Sequence, residues 1–344
     1  MNYNRRKILK TTGSLAVGGV FLAVAGRSVW KMFTHPEELF NDSKRDHGPQ
    51  LLKEDGTFVS PYRRISGFIA HDEISAMEVS GGSIYLATPN AISIYGMSGE
   101  LQTNFATPSG VRDICVMNDQ IYALFPTRIE VYDYHGIELQ TIEACSEESD
   151  YCSMAVCPDG IFVTDAGSKN ICKYNLDGTL ARFIQSPKGF IVPSYCFGIT
   201  YVAPTGTETQ GKICCSNPGR HQVESYTLEG EFISAFGEAG AEAGAFSGCC
   251  NPVFVTTAYN GELLTSEKGI PRISCYSASG QFRSILLDGK ALGGGHSAYD
   301  VRVLKDMLIV CGGKKVSVFR YNKQLSQETK CGQCTQDCPL KIDK

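Results

Sequence analysis

Apolar and polar residues alternate in short runs along most of the chain, and a turn signal closes each run. The clearest landmark is a strand ending in tyrosine, with a glycine four positions on. It occurs as Tyr95-Gly96-Met97-Ser98-Gly99, Tyr132-Asp133-Tyr134-His135-Gly136 and Tyr174-Asn175-Leu176-Asp177-Gly178. It recurs as Tyr226-Thr227-Leu228-Glu229-Gly230 and Tyr276-Ser277-Ala278-Ser279-Gly280, with a degenerate copy at Phe319-Arg320-Tyr321-Asn322-Lys323. Alternating apolar residues flank each copy, as Ile129, Val131 and Leu139 do in the second. A glycine at that position supplies the positive φ of a hairpin turn.

Three copies also align without gaps upstream. Thr164-Asp165-Ala166-Gly167, Ser216-Asn217-Pro218-Gly219 and Ser266-Glu267-Lys268-Gly269 stand at equal distances from their tyrosines. The units span roughly 74–105, 111–144, 151–185, 196–237, 249–288 and 298–323. Each reads as four short strands, and a period near 40 residues suits propeller blades. The pattern predicts an all-β, six-bladed β-propeller over residues 61–324. The sixth unit runs out after three strands. Residues 63–70, Arg63 to Ala70, could supply the missing one and leave no open blade edge.

The repeats resemble NHL repeats. The resemblance is carried by the run Asn217 to Tyr226, by Phe232-Ile233-Ser234-Ala235-Phe236-Gly237 and by Asn251-Pro252-Val253-Phe254-Val255. NHL propellers include protein-binding modules, ligand-binding modules and a few lyases, so the resemblance is specific for fold and weak for function. This chain departs from the family in its cysteines and its tail.

Residues 1–30 read as a signal or anchor segment, helical in expectation. Asn4-Arg5-Arg6-Lys7-Ile8-Leu9-Lys10 precedes an apolar stretch from Gly13 to Gly26, with Ala23-Val24-Ala25 as a small-residue cleavage site. The paired arginines resemble a twin-arginine export signal. That resemblance implies export after folding, to the periplasm or the outer face of the cytoplasmic membrane. An ordinary secretory signal and an uncleaved anchor are the alternatives. The chain would touch a membrane only through this segment. Residues 31–60 read as linker and 325–344 as a short, irregular, cysteine-rich tail.

Composition narrows the chemistry. The formal net charge is -4, so no global attraction to nucleic acid is expected. Six histidines argue against imidazole-built centres. No Ser-His-Asp or nucleophile-elbow signature appears. Fifteen cysteines are an odd number, so at least one thiol is unpaired or bound to something else.

The cysteines fall into groups. Cys115, Cys172, Cys275 and Cys311 sit in apolar runs and read as small buried hydrophobes. Cys214-Cys215 lie late in a second strand. Cys249-Cys250, Cys152 and Cys196 stand at strand starts, which in a propeller gather at the channel mouth. A thiol-rich patch there, drawing on Cys214, Cys215, Cys249, Cys250, Cys152 and Cys196, could take a soft metal, with ordinary disulfides, strained vicinal disulfides or buried thiols as the plain alternatives. Neighbouring side chains in a strand point to opposite faces, so one metal would rarely take both members of a pair.

In the tail, Cys331-Gly332-Gln333-Cys334-Thr335-Gln336-Asp337-Cys338-Pro339 resembles the end of a bacterial ferredoxin cluster motif, lacking its intervening cysteine. That resemblance implies an iron–sulfur cluster on Cys331, Cys334 and Cys338, with a fourth ligand from elsewhere. Zinc is the competing metal.

Three functions follow as expectations. The first is electron transfer, or service to a redox or membrane-associated protein partner. The second is a non-catalytic binding scaffold with structural cysteines. The third is a lyase or hydrolase, which would need histidines or carboxylates lining the channel.

Overall fold

A computed structural model describes residues 51–52, 59–205, 209–248, 250–258, 260–322 and 330–331. The signal segment, most of the linker and the tail beyond Cys331 lie outside them. The described residues form six four-stranded antiparallel sheets and one two-stranded pair. Five sheets are sequential meanders, with innermost strands Ala76–Ser80, Asp113–Met117, Tyr151–Cys157, Ile199–Val202 and Phe254–Thr257. The sixth begins with Asp300–Leu304. Each innermost strand packs on both neighbours, and Asp300–Leu304 packs on Ala76–Ser80, which closes the ring.

The missing strand comes from the other end of the propeller. Tyr62–Ile69 pairs antiparallel with Lys315–Tyr321 as the outer strand of blade six, with Tyr62 opposite Tyr321 and Ile69 opposite Lys315. A further pair lies beyond the ring: Leu51 stands opposite Cys331 and Leu52 opposite Lys330. A two-residue strand thus interrupts what read as linker, and another the irregular tail.

Blades are held by faces rather than edges. The buried apolar side chains form six clusters, one at each blade interface. Second strands lie between two such clusters, so Gly160–Asp165 is buried at every position instead of alternating. Outer strands are largely exposed, as at the consecutive residues Phe232 and Ile233.

The turn glycines do two jobs. Gly136 has φ +82°, and its N–H donates to Asp133 O at 3.1 Å. A Cβ there would also lie 2.3 Å from Phe105 Cγ on the outer strand of the preceding blade. Gly99, Gly178, Gly230 and Gly280 meet Phe68, Ile142, Ile184 and Phe236 in the same way. The landmark is therefore a blade-to-blade contact as well as a turn.

Candidate functional site

The innermost strands run in one sense, so their first residues meet at one mouth of the channel. A cavity of about 360 Å³ there is lined by Ala76, Asp113, Cys152, Cys196, Phe254 and Asp300, one from each blade start. Further along the same strands a second cavity of about 390 Å³ is lined by Glu78, Cys115, Thr200, Thr256 and Arg302, among others.

Arg302 stands between them with three carboxylates. It bonds Asp300 Oδ1, lies 3.3 Å from Glu78 Oε2 through Nε, and is 3.8 Å from Asp113 Oδ1 through a terminal nitrogen. The aspartates also tie blades together. Asp113 Oδ2 accepts the Ser153 hydroxyl at 2.6 Å and the Met154 N–H at 2.8 Å from blade three. Asp300 Oδ2 accepts the Met77 N–H of blade one at 3.3 Å. Burial pushes Asp300 up to about 6, against the pull of Arg302. Burial likewise raises Glu78 and Asp113, again opposed by Arg302. Three acids raised by burial beside one buried cation make this group a candidate for proton chemistry.

The thiols at the mouth form a second group. The turn Pro193–Tyr195 sets Cys196 just before blade four. Cys250 precedes blade five, and its thiol donates to Ser194 Oγ at 3.4 Å. Lys268 follows the second strand of blade five, and its Nζ lies 3.5 Å from Cys196 Sγ. The carboxamide of buried Asn251 positions that lysine: Oδ1 accepts Lys268 N–H at 2.9 Å and Nδ2 donates to Lys268 O at 2.8 Å. Burial raises the Cys196 pKa, opposed by the Lys268 ammonium. The pKa of Lys268 is itself raised, although burial works against this, because Cys196 and Cys250 together outweigh that cost. The ammonium offsets part of the burial cost of the Cys196 thiolate, the form that attacks electrophiles and binds metals.

The predicted site residues are distributed unevenly. Cys196 and Cys250 come together, and Cys152 lines the same cavity with its Sγ donating to Asp150 O at 3.5 Å. Burial pushes Cys152 up to about 12, with Arg112 pulling the other way. Cys214 and Cys215 are not at the mouth. They lie in Lys212–Asn217, fully buried on opposite faces. Cys214 packs between blades four and five, where its thiol lies 3.2 Å from Ser225 Oγ. Cys215 packs between blades three and four. Cys249, Cys334 and Cys338 lie outside the described residues, and of Cys331 only the backbone pairing is described.

Cys275 and Cys311 are core residues, as read from sequence. Cys115 differs: it is half-buried in the channel wall, and its thiol donates to Met154 O at 3.2 Å. The recurring hydroxyls and their polar neighbours fasten loops and strands. Thr164 donates to Phe197 O at 2.6 Å, Ser216 accepts Gly198 N–H at 2.8 Å and Ser266 accepts Tyr299 N–H at 3.1 Å. Sequence reasoning missed Arg302, Glu78, Asp113, Asp300, Lys268 and Asn251. One signal was available: Asp113 and Asp300 each open an apolar run at the same place in their blades.

Solved structures share this fold. The fold is that of known propellers. Virginiamycin B lyase from Staphylococcus aureus is 12% identical with a TM-score of 0.53, over 75% of this chain and 99% of that one. A streptogramin B lyase is 14% identical with a TM-score of 0.53, over 76% and 98%. A protein of unknown function from Bacteroides thetaiotaomicron VPI-5482 is 10% identical with a TM-score of 0.55, over 75% of each chain. At these identities the likeness extends to the fold alone. No family model matches the chain, and no curated protein matches it.

Proposed function

We propose that this chain is an exported NHL-type propeller whose mouth carries a cysteine-ligated metal centre, serving electron transfer or a redox system. The observation behind it is the meeting of Cys196 and Cys250, from adjacent blades, around Lys268 at the channel mouth. An iron–sulfur cluster generally takes four thiolates. Among the described residues, Cys152, Cys196 and Cys250 do not form a group of three ligand atoms within 4.8 Å of one another. The mouth therefore fits as a partial ligand set. Cys331, Cys334 and Cys338 of the tail would supply the remainder, and zinc is the alternative metal. Bound there, a cluster would supply one-electron chemistry; the protein's part is to hold the thiolates and present the face to a redox or membrane-associated protein. Arg5-Arg6 and the apolar stretch behind them support export to the periplasm or the outer membrane face.

Anaerobic purification of the full chain, with iron, sulfide and zinc analysis and an absorption spectrum, tests the reading. Bound iron with thiolate-to-iron charge-transfer bands is expected, or zinc in the alternative. Protein free of both metals would overturn it.

A second reading has its own support. The Arg302 group and its flanking cavities give the channel the carboxylate cluster that a lyase or hydrolase needs, and two of the similar structures are lyases. Turnover that survives metal removal and disappears in Glu78→Gln would favour it over the metal centre.

A further inference from the structure

Away from the channel, two thiols and a carboxylate of blades two and three converge. Cys145 lies in the segment that returns from the outer strand of blade two, Glu138–Glu143. Asp165 ends the strand Gly160–Asp165, and Cys172 lies in Asn170–Tyr174. Their ligand atoms all lie within 4.8 Å of one another, and the two Sγ atoms are 3.5 Å apart.

The carboxylate carries the argument. Asp165 is fully buried. Its Oδ1 is occupied by the N–H groups of Asp150 at 2.8 Å, Gly167 at 2.9 Å and Ser168 at 3.3 Å. Its Oδ2 is buried with no hydrogen-bond partner. A buried polar atom left without a partner costs about 1–3 kcal/mol, and more when charged. A bound cation would remove that cost. The loop could have been fastened by one acceptor oxygen alone, so turn capping does not account for Oδ2.

The neighbouring groups match a small coordination sphere. In tetrahedral zinc sites with Zn–S near 2.3 Å, two sulfurs stand about 3.8 Å apart, close to the separation seen here. Asn170 Oδ1 lies 3.4 Å from Cys172 Sγ, and the Tyr151 hydroxyl lies 3.7 Å from Cys145 Sγ and 2.5 Å from the Tyr174 hydroxyl. Ser149 Oγ is 3.8 Å from Cys145 Sγ. Cys145 is half-buried beside the exposed residues Glu147 and Glu148, which gives an ion a way in.

We propose that Cys145, Cys172 and Asp165 form a zinc site that joins blades two and three, with Asn170 Oδ1 or water in the fourth position. Two thiolates with one carboxylate are a borderline-soft donor set, suited to zinc rather than to magnesium or calcium. This site is independent of the proposed centre at the mouth.

The test uses the full chain with Cys196, Cys250, Cys331, Cys334 and Cys338 replaced by Ser, reduced and stripped of metal. Cobalt(II) is titrated as a spectroscopic substitute, then displaced with zinc. One cobalt per chain with thiolate-to-cobalt charge-transfer absorption is expected. Cys145→Ser, at the half-buried position, should abolish that absorption, and Asp165→Asn should weaken binding by about tenfold or more. Zinc should raise the melting temperature of the parent and leave that of Cys145→Ser unchanged. Absence of the absorption in the parent would overturn the proposal, as would binding unchanged in Cys145→Ser. So would a Cys145–Cys172 disulfide, found by peptide mass mapping in protein purified without reductant.

Discussion

Lys268 Nζ lies 3.5 Å from Cys196 Sγ, joining the second strand of blade five to the start of blade four. The ammonium holds down a thiol that burial pushes up. Replacing it should shift the thiol further upward. Lys268→Met is expected to slow alkylation of Cys196 at pH 8, because less of the thiol is then thiolate. Iodoacetamide labelling followed by peptide mass spectrometry measures it. An unchanged rate would mean that this lysine does not act on the thiol.

The channel acids make stability depend on pH. The Asp300 pKa is raised by burial, from an ordinary 3.8 to about 6 in the folded chain. A raised acid favours folding fully below its unfolded value, and that contribution is lost as pH rises through its folded value. Stability should therefore fall between about pH 4 and pH 6, by an amount on the order of 3 kcal/mol. Asp300→Asn keeps an acceptor for Met77 N–H and should flatten the profile, as thermal unfolding across that range would reveal.

Glu267 and Arg272 form a bidentate pair with almost no exposure, at 2.8 Å through both Nε and a terminal nitrogen. Removing one partner strands the other charge. Glu267→Ala is predicted to cost about 3–5 kcal/mol in urea unfolding. A loss below about 1 kcal/mol would indicate that water reaches Arg272 in the variant.

Gly136 and Gly110 both have positive φ, at +82° and +100°. A Cβ at Gly136 would strike Phe105, whereas nothing lies within 4 Å of one at Gly110. Gly136→Ala should cost more than Gly110→Ala by roughly 1–3 kcal/mol, since both carry the backbone penalty and only one the clash. Paired unfolding measurements decide it.

The propeller was legible because its period is local. Each Tyr-x-x-x-Gly turn and its flanking strands lie within one blade, and the strand borrowed from Tyr62–Ile69 follows from the shortage in blade six. The site was only partly legible, because its members come from different blades. Arg302 meets Glu78 from the opposite end of the chain, and nothing in either local run marks the partner. Cys172 reads as a residue in an apolar run, and Cys145, followed by Ser146-Glu147-Glu148, carries no pattern that marks a partner. They meet because the return from blade two passes over the third strand of blade three. Cys214 and Cys215 read as a pair, yet the pleat sends them into two separate cores.

The most direct test of the metal centre compares metal content per chain across three anaerobically purified proteins. These are the wild type, the double variant Cys196→Ser/Cys250→Ser and the triple variant Cys331→Ser/Cys334→Ser/Cys338→Ser. The iron, or zinc, that charge-transfer or cobalt-exchange spectra assign to the mouth should be present in the wild type and lost in both variants. Metal retained in full by the double variant would contradict a centre built on the mouth thiols.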